Sequence, residues 1–84
     1  MAQSLVGFAY HYGEGVPVDK AAGVDWYRKA AAQGHADSQY ELGLAYYNGD
    51  GVPVDKAAGV GWYRKAAAQG HADAIRRSND VTFL

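Results

Sequence analysis

The 84-residue chain has no cysteine, which removes disulfide staples and most zinc sites from the ways a short domain can be stabilised. That absence leaves the redox compartment open, because only a cysteine-rich chain would point outside the cell. Charge of one sign is also missing: eight Lys and Arg against nine Asp and Glu leave a formal charge of −1. A near-neutral chain gives no electrostatic case for nucleic acid or an anionic membrane surface. No apolar run reaches the ~18 residues of a membrane span, and the opening MAQSLVGFAYHYGEG lacks a basic start and a cleavage site. The expectation is a chain without signal peptide or transmembrane segment, cytoplasmic by default. Prolines number only two, while eleven residues are glycine and 49% are hydrophobic. That is too apolar for disorder and too aperiodic in glycine for a fibre. A chain of this size buries roughly 60–65% of its unfolded surface, so one small domain of marginal stability is expected.

What the chain does contain is a self-match. Residues 13–34, GEGVPVDKAAGVDWYRKAAAQG, return as residues 49–70, GDGVPVDKAAGVGWYRKAAAQG, at an offset of 36. Over the whole period, 1–36 and 37–72 differ at only ten positions: 1, 2, 4, 5, 6, 8, 11, 12, 14 and 25. A fixed period of about 20–50 residues marks stacked-repeat architecture. The chain is therefore read as a single repeat domain over 1–84, with repeat one at 1–36, repeat two at 37–72, and a partial repeat or cap at 73–84.

Each repeat reads as two helices. In the first copy, Gln3, Val6, Gly7 and Tyr10 fall on one face of a helix over 2–12, which Gly13 and Gly15 terminate. Pro17 keeps Val16 out of the helical region, so a loop follows. Asp19 is an N-cap for a second helix over about 20–33, whose buried face is Gly23, Trp26, Tyr27, Ala30 and Ala31. The second copy repeats this, with helices over about 36–48 and 55–69. Gln39, Leu42, Gly43 and Tyr46 line the former; Gly59, Trp62, Tyr63, Ala66 and Ala67 line the latter. Mid-helix glycines at 7, 23, 43 and 59 each cost about 1 kcal/mol against alanine, which suggests that two backbones approach closely there, with Trp26 or Trp62 alongside. After Asp73 the repeat fails: Ile75 to Asp80 replace the expected Gln, Tyr, Glu, Leu, Gly and Leu. One or two turns of helix and a loose or capping tail over 81–84 are expected.

The run ADSQYELGLAYYNGDGVPVD followed by WYRKAAAQGHA resembles the Sel1-like repeat, an αα relative of the tetratricopeptide repeat. Its signature is matched at Leu42, Gly43, Tyr46, Gly49, Gly51, Val52, Asp55, Trp62, Tyr63, Lys65, Ala66, Ala67, Gln69 and Gly70, and the first copy matches at the corresponding positions, with Val6 for the leucine. The resemblance covers residues 1 to about 74. It implies an all-α fold, a right-handed αα solenoid of two 36-residue repeats with a partial third helix. It also implies a non-catalytic adaptor or scaffold that holds protein partners.

The side chains give little reason to expect an enzyme, a cofactor or a metal. His35 and His71 sit in short turns with no second ligand at i+3 or i+4, and His11, beside Tyr10 and Tyr12, is read as having no carboxylate that would orient it as a base. The stretch from Asn48 to Asp55 has valines at alternate positions where a calcium loop needs oxygen ligands. The Gly-Glu-Gly and Gly-Asp-Gly turns lack the further glycines or the Lys-Ser/Thr of phosphate loops. Function is better sought where the copies differ. Nine of the ten differences lie in the first helix or the loop after it. Ser4, Phe8 and His11, with Tyr40, Leu44 and Tyr47 in the second copy, recur at i, i+4, i+7, roughly 115° around the helix from the core stripe. They are candidate partner-binding residues for a protein or peptide segment on the first-helix, concave face. Two other readings of the same residues stand beside this one: they fill the seam between repeats, or the first copy differs because it is terminal. A self-associating repeat unit, by end-to-end stacking or swapping, is the alternative function.

Overall fold

The protein is described by a computed structural model, which covers residues 7, 9–13 and 18–82, without the side chains of 79–82. Ser4, Phe8, most of the helix expected over 2–12, the Gly15–Val16–Pro17 turn and the last two residues lie outside the described residues. Four helices follow a helical turn at 9–12: α1 Lys20–Ala32, α2 Ala36–Asn48, α3 Lys56–Ala68 and α4 Ala72–Thr82. Strands are absent among the described residues.

The caps fall where local chemistry places them. The Asp19 carboxylate accepts from the Ala22 amide at 3.0 Å, and Asp55 accepts from Ala58 at 3.0 Å. Both α1 and α3 end in the same doubled closure. Gly34 donates to the Ala31 carbonyl and His35 to that of Ala30; Gly70 donates to Ala67 and His71 to Ala66. Gly34 and Gly70 hold φ of 89° and 86°, which a side chain would strain. The link from first to second helix is closed by one backbone bond in each copy: Asp19 to the Tyr10 carbonyl at 2.7 Å, and Asp55 to that of Tyr46 at 2.8 Å.

The mid-helix glycines do mark close approach. A Cβ on Gly23 would lie 2.8 Å from the Gly7 carbonyl oxygen and 2.9 Å from the His11 nitrogen. One on Gly59 would lie 2.8 Å from the Gly43 carbonyl and 2.9 Å from the Tyr47 nitrogen. The helices of each repeat therefore touch backbone to backbone. Tyrosine fills the space alongside in both copies, with Trp26 beside it in the first: Tyr63 ring carbons would meet a Gly43 Cβ at 2.7 Å, and one on Gly7 would meet Tyr27 at 2.9 Å and the Trp26 Cβ at 3.0 Å. Trp26 and Trp62 are only half-buried, and the Lys29 and Lys65 ammonium groups sit 4.4 Å over their rings.

The core is Val24, Tyr27, Ala31, Leu42 and Ala45, with Tyr46, Val52 and Trp62 packed against it. Val24 replaces Trp26 on the expected buried face of α1, because α2 lies against that side. Tyr46 is also only half-buried. Its hydroxyl reaches the surface and accepts from the Arg28 guanidinium at 2.7 and 3.2 Å. Comparison of the copies shows what stacking contributes. Val24 and Ala31 are 0% and 3% exposed, whereas their equivalents Val60 and Ala67 are half-exposed. Identical residues are covered on α1 by a full repeat and on α3 only by α4.

The last helix is longer than the tail composition suggests. α4 runs for 11 residues, about three turns where one or two were expected. Docking supplies what propensity does not: Ala74 is fully buried. The His71 Nδ1 accepts from the Ala74 amide at 3.2 Å, capping the first turn.

Candidate functional site

The first-helix face is built from α2, with the 9–12 turn on one side and α4 on the other. Tyr40, Leu44 and Tyr47 lie along one side of α2, each half-buried. Tyr40 and Tyr47 both pack on the buried Tyr63 ring, at centroid distances of 5.8 and 6.0 Å. Tyr40 also stacks on His71 at 4.7 Å, and its hydroxyl accepts from Arg77 Nε at 3.1 Å. The Lys56 ammonium lies 5.4 Å from the Tyr47 ring centre. A shallow recess beside Tyr40 is lined by Asp73, Arg76 and Arg77.

His11 is placed differently. Its side chain is 6% exposed and lies against the Tyr12 and Tyr27 rings. A carboxylate reaches it from the second repeat: Asp50 Oδ2 is 3.4 Å from Nε2. That contact is close enough for attraction but lacks hydrogen-bond alignment, so neither ring nitrogen has a hydrogen bond among the described residues. Asp50 is also held by Lys20 at 2.7 Å. Beside it, the Tyr12 hydroxyl donates to Glu41 at 3.2 Å.

These contacts account for several of the differences between the copies. His11, Tyr12, Glu41 and Asp50 all occupy positions where the repeats differ, and they meet one another across the seam. Glu41, Asp50 and Tyr12 were not singled out by helical spacing, although the comparison of copies contained all three. Arg77 and Lys56 had no such signal: each comes from a different helix and reaches the α2 tyrosines only once the stack has formed.

Burial sets the titration of the seam. It pushes the Tyr12 hydroxyl up to about 12, with the Glu41 charge adding to the effect. Tyr63 is likewise pushed up to about 12 by burial, and Tyr27 higher still. The Tyr27 and Tyr63 hydroxyls have no hydrogen-bond partner among the described residues. Burial also raises the Glu41 carboxyl above its ordinary value of 4.5, against the opposing pull of Tyr12 and His11. The folded chain then holds the Glu41 proton more tightly than the unfolded chain does. Stability is greatest below the unfolded value and falls as pH rises through the folded one. Glu41→Gln keeps an acceptor for Tyr12 and removes this loss. The variant should melt higher than the parent at about pH 7, with the gap closing toward about pH 4; a lower melting point at neutral pH would mean that the Tyr12 and His11 attractions outweigh burial.

Among the described residues no group of three or more His, Asp and Glu side chains is placed to hold a metal ion. No helix among them is long and apolar enough to cross a membrane. His71 is fully used in structure: besides capping α4, its Nε2 lies 3.0 Å from Asp37 at the start of α2. Acceptance at Nδ1 assigns the ring proton to Nε2, which can then donate to Asp37.

Comparison with known proteins agrees with this geometry. The Sel1 repeat family model matches residues 1–35 and 36–71. The crystal structure of a Sel1 repeat protein from Oxalobacter formigenes superposes with a TM-score of 0.95 at 43% identity, over 96% of this chain and 33% of that one. A protective antigen present in uropathogenic Escherichia coli strains, displaying an SLR fold, gives a TM-score of 0.96 at 45% identity, over 98% of this chain and 18% of the other. The chain thus spans a third or less of the length of these two structures. No match is found among curated proteins. Sel1 repeat proteins are in general protein-interaction scaffolds. With two matched repeats and an all-helical solenoid fold, the chain belongs to the Sel1 repeat family.

Proposed function

We propose that the chain is a non-catalytic interaction module, one repeat domain over 1–84 with 73–84 as its cap, that holds a peptide or protein segment on its first-helix face. The observation that carries this reading is the row of Tyr40, Leu44 and Tyr47 on α2, apolar and aromatic yet only half-buried, while the core lies on another side of the helix. Ser4 and Phe8 belong to the same row by repeat position. His11 contributes by fixing the seam next to it, through Asp50. A second reading, self-association, draws on the half-exposed Val60 and Ala67 of α3, whose counterparts in α1 are buried by a following repeat.

One experiment separates the two. The immobilised chain and its Leu44→Ser and Tyr47→Ser variants are used for capture from a cell lysate, with melting of each followed by circular dichroism and mass by light scattering. A docking face predicts capture that falls at least several-fold in both variants while Leu44→Ser melts within a few degrees of the parent. Undiminished capture by both variants, or capture that tracks loss of folding, would remove the face from consideration. Mass that rises with concentration favours self-association.

A further inference from the structure

Both tyrosines of the α2 row carry a cation brought from another helix. Arg77 of α4 bonds the Tyr40 hydroxyl at 3.1 Å, and Lys56, the first residue of α3, lies 5.4 Å from the Tyr47 ring centre. The acids described around them already have contacts. Asp73 pairs with Arg76 at 3.6 Å, Asp50 with Lys20 at 2.7 Å, and Asp37 with His71 at 3.0 Å. Glu41 accepts from Tyr12. Neither Arg77 nor Lys56 has a carboxylate within ion-pair distance among the described residues. Among the described residues, Arg76 and Arg77 share the recess beside Tyr40 with a single acid, Asp73, so these lining side chains carry a net positive charge. The face therefore has a cation at each end, Arg77 on the Tyr40 hydroxyl and Lys56 over the Tyr47 ring, with Leu44 between.

We propose that the occupant of this face is an acidic peptide segment with two carboxylates flanking an apolar side chain. The proposal rests on the reading of the α2 row as a docking face and adds the chemistry of what docks. One carboxylate is taken by Arg77 in the Tyr40 recess, the other by Lys56 above Tyr47, and the apolar group lies on Leu44. The spacing follows from helix geometry. Tyr40 and Tyr47 are two turns apart, roughly 10 Å at 1.5 Å per residue, which a polyproline II segment, with three residues per turn at about 3.1 Å each, spans in one full turn that brings i and i+3 to the same face. Acid groups at i and i+3 therefore fit. Because the cations are exposed, their effect on binding is sensitive to salt.

The test uses fluorescence anisotropy with a labelled Gly-Ser peptide that carries Glu-Leu-Ser-Glu at its centre. Counterparts carrying Gln-Leu-Ser-Gln and Lys-Leu-Ser-Lys serve as controls. At low salt the Glu peptide should bind about tenfold tighter than the Gln peptide, consistent with charge-assisted bonds, and the Lys peptide should be weakest. Raising the salt to roughly 0.5 M should erase most of the difference. Lys56→Gln and Arg77→Gln should each reduce binding of the Glu peptide several-fold and leave the Gln peptide unchanged. Equal binding of all three peptides, or no binding of the Glu peptide, overturns the proposal. If Leu44→Ser still lowers capture from lysate in that case, the docking face survives and only its acidic preference is lost. If capture is also insensitive to Leu44, both readings fall together.

Discussion

Gly59→Ala should destabilise the protein and Gly61→Ala should stabilise it, although the two positions lie two residues apart in the same helix. Each substitution gains about 1 kcal/mol of helix propensity. At Gly61 that gain is unopposed, because nothing lies within 4 Å of the added methyl. At Gly59 the methyl lands 2.8 Å from the Gly43 carbonyl and 2.9 Å from the Tyr47 nitrogen. These are backbone atoms of α2, so no side-chain rotation relieves the overlap and the helices must separate. Overpacking of a close-fitted core costs about 1–3 kcal/mol, and rigid backbone on both sides favours the upper end. Each kcal/mol moves the melting temperature of a domain this small by about 4–8 °C, so the two variants should melt roughly 10 °C or more apart. Gly43→Ala, facing the fully buried Tyr63 ring, should behave like Gly59→Ala. A Gly59→Ala protein that melts at or above the parent would show that the crossing can open at little cost, and the close approach would lose its role in holding each repeat together.

That crossing was legible in the sequence because its cause is local and repeated. A glycine that costs helix stability at the same place in both copies needs a reason, and the partner backbone is the commonest one. The caps at Asp19 and Asp55 and the α2 limits at residues 36 and 48 were legible for the same kind of reason: each depends on a few neighbouring residues. What could not be read depends on how one repeat lies on the next. Val24 and Trp26 are both apolar and two residues apart, and only the position of α2 decides that Val24 is sealed while Trp26 keeps one side open. The carboxylate beside His11 is 39 residues away in sequence, so no local spacing announces it. The length of α4 belongs here as well. Residues 75–80 carry no apolar period of the expected kind, and the helix is held by the His71 cap, the buried Ala74 and the Arg77–Tyr40 bond. The candidate row itself was read from differences between copies. Those differences carry two things at once: the seam pairs, and the half-buried aromatic row next to them.

Leu42→Ala should remove a large share of the stability of this chain, because the side chain sits where the two repeats join. Leu42 is 0% exposed and lies among Val24, Tyr27, Ala31 and Ala45, so it joins α1 of the first repeat to α2 of the second. Removing a buried leucine side chain to alanine costs about 2–5 kcal/mol, the spread reflecting how far the site collapses. Collapse is restricted here, because the glycine crossing between α2 and α3 already holds backbones in contact. A domain of 84 residues has a total stability of about 4–12 kcal/mol, so this one change should remove a third or more of it. The melting temperature should fall by roughly 10–30 °C, and unfolding of the two repeats should become less cooperative, since the truncated residue lies between them. Leu42→Val is the informative companion. The first repeat carries Val6 in the corresponding slot, and a single lost methylene costs about 1 kcal/mol. A graded series, with parent above Val above Ala, ties the stability to volume at the repeat junction. If Leu42→Ala instead melts like Leu42→Val, the junction has repacked around the gap and the two repeats are joined chiefly by their polar seam, His11 to Asp50 and Tyr12 to Glu41.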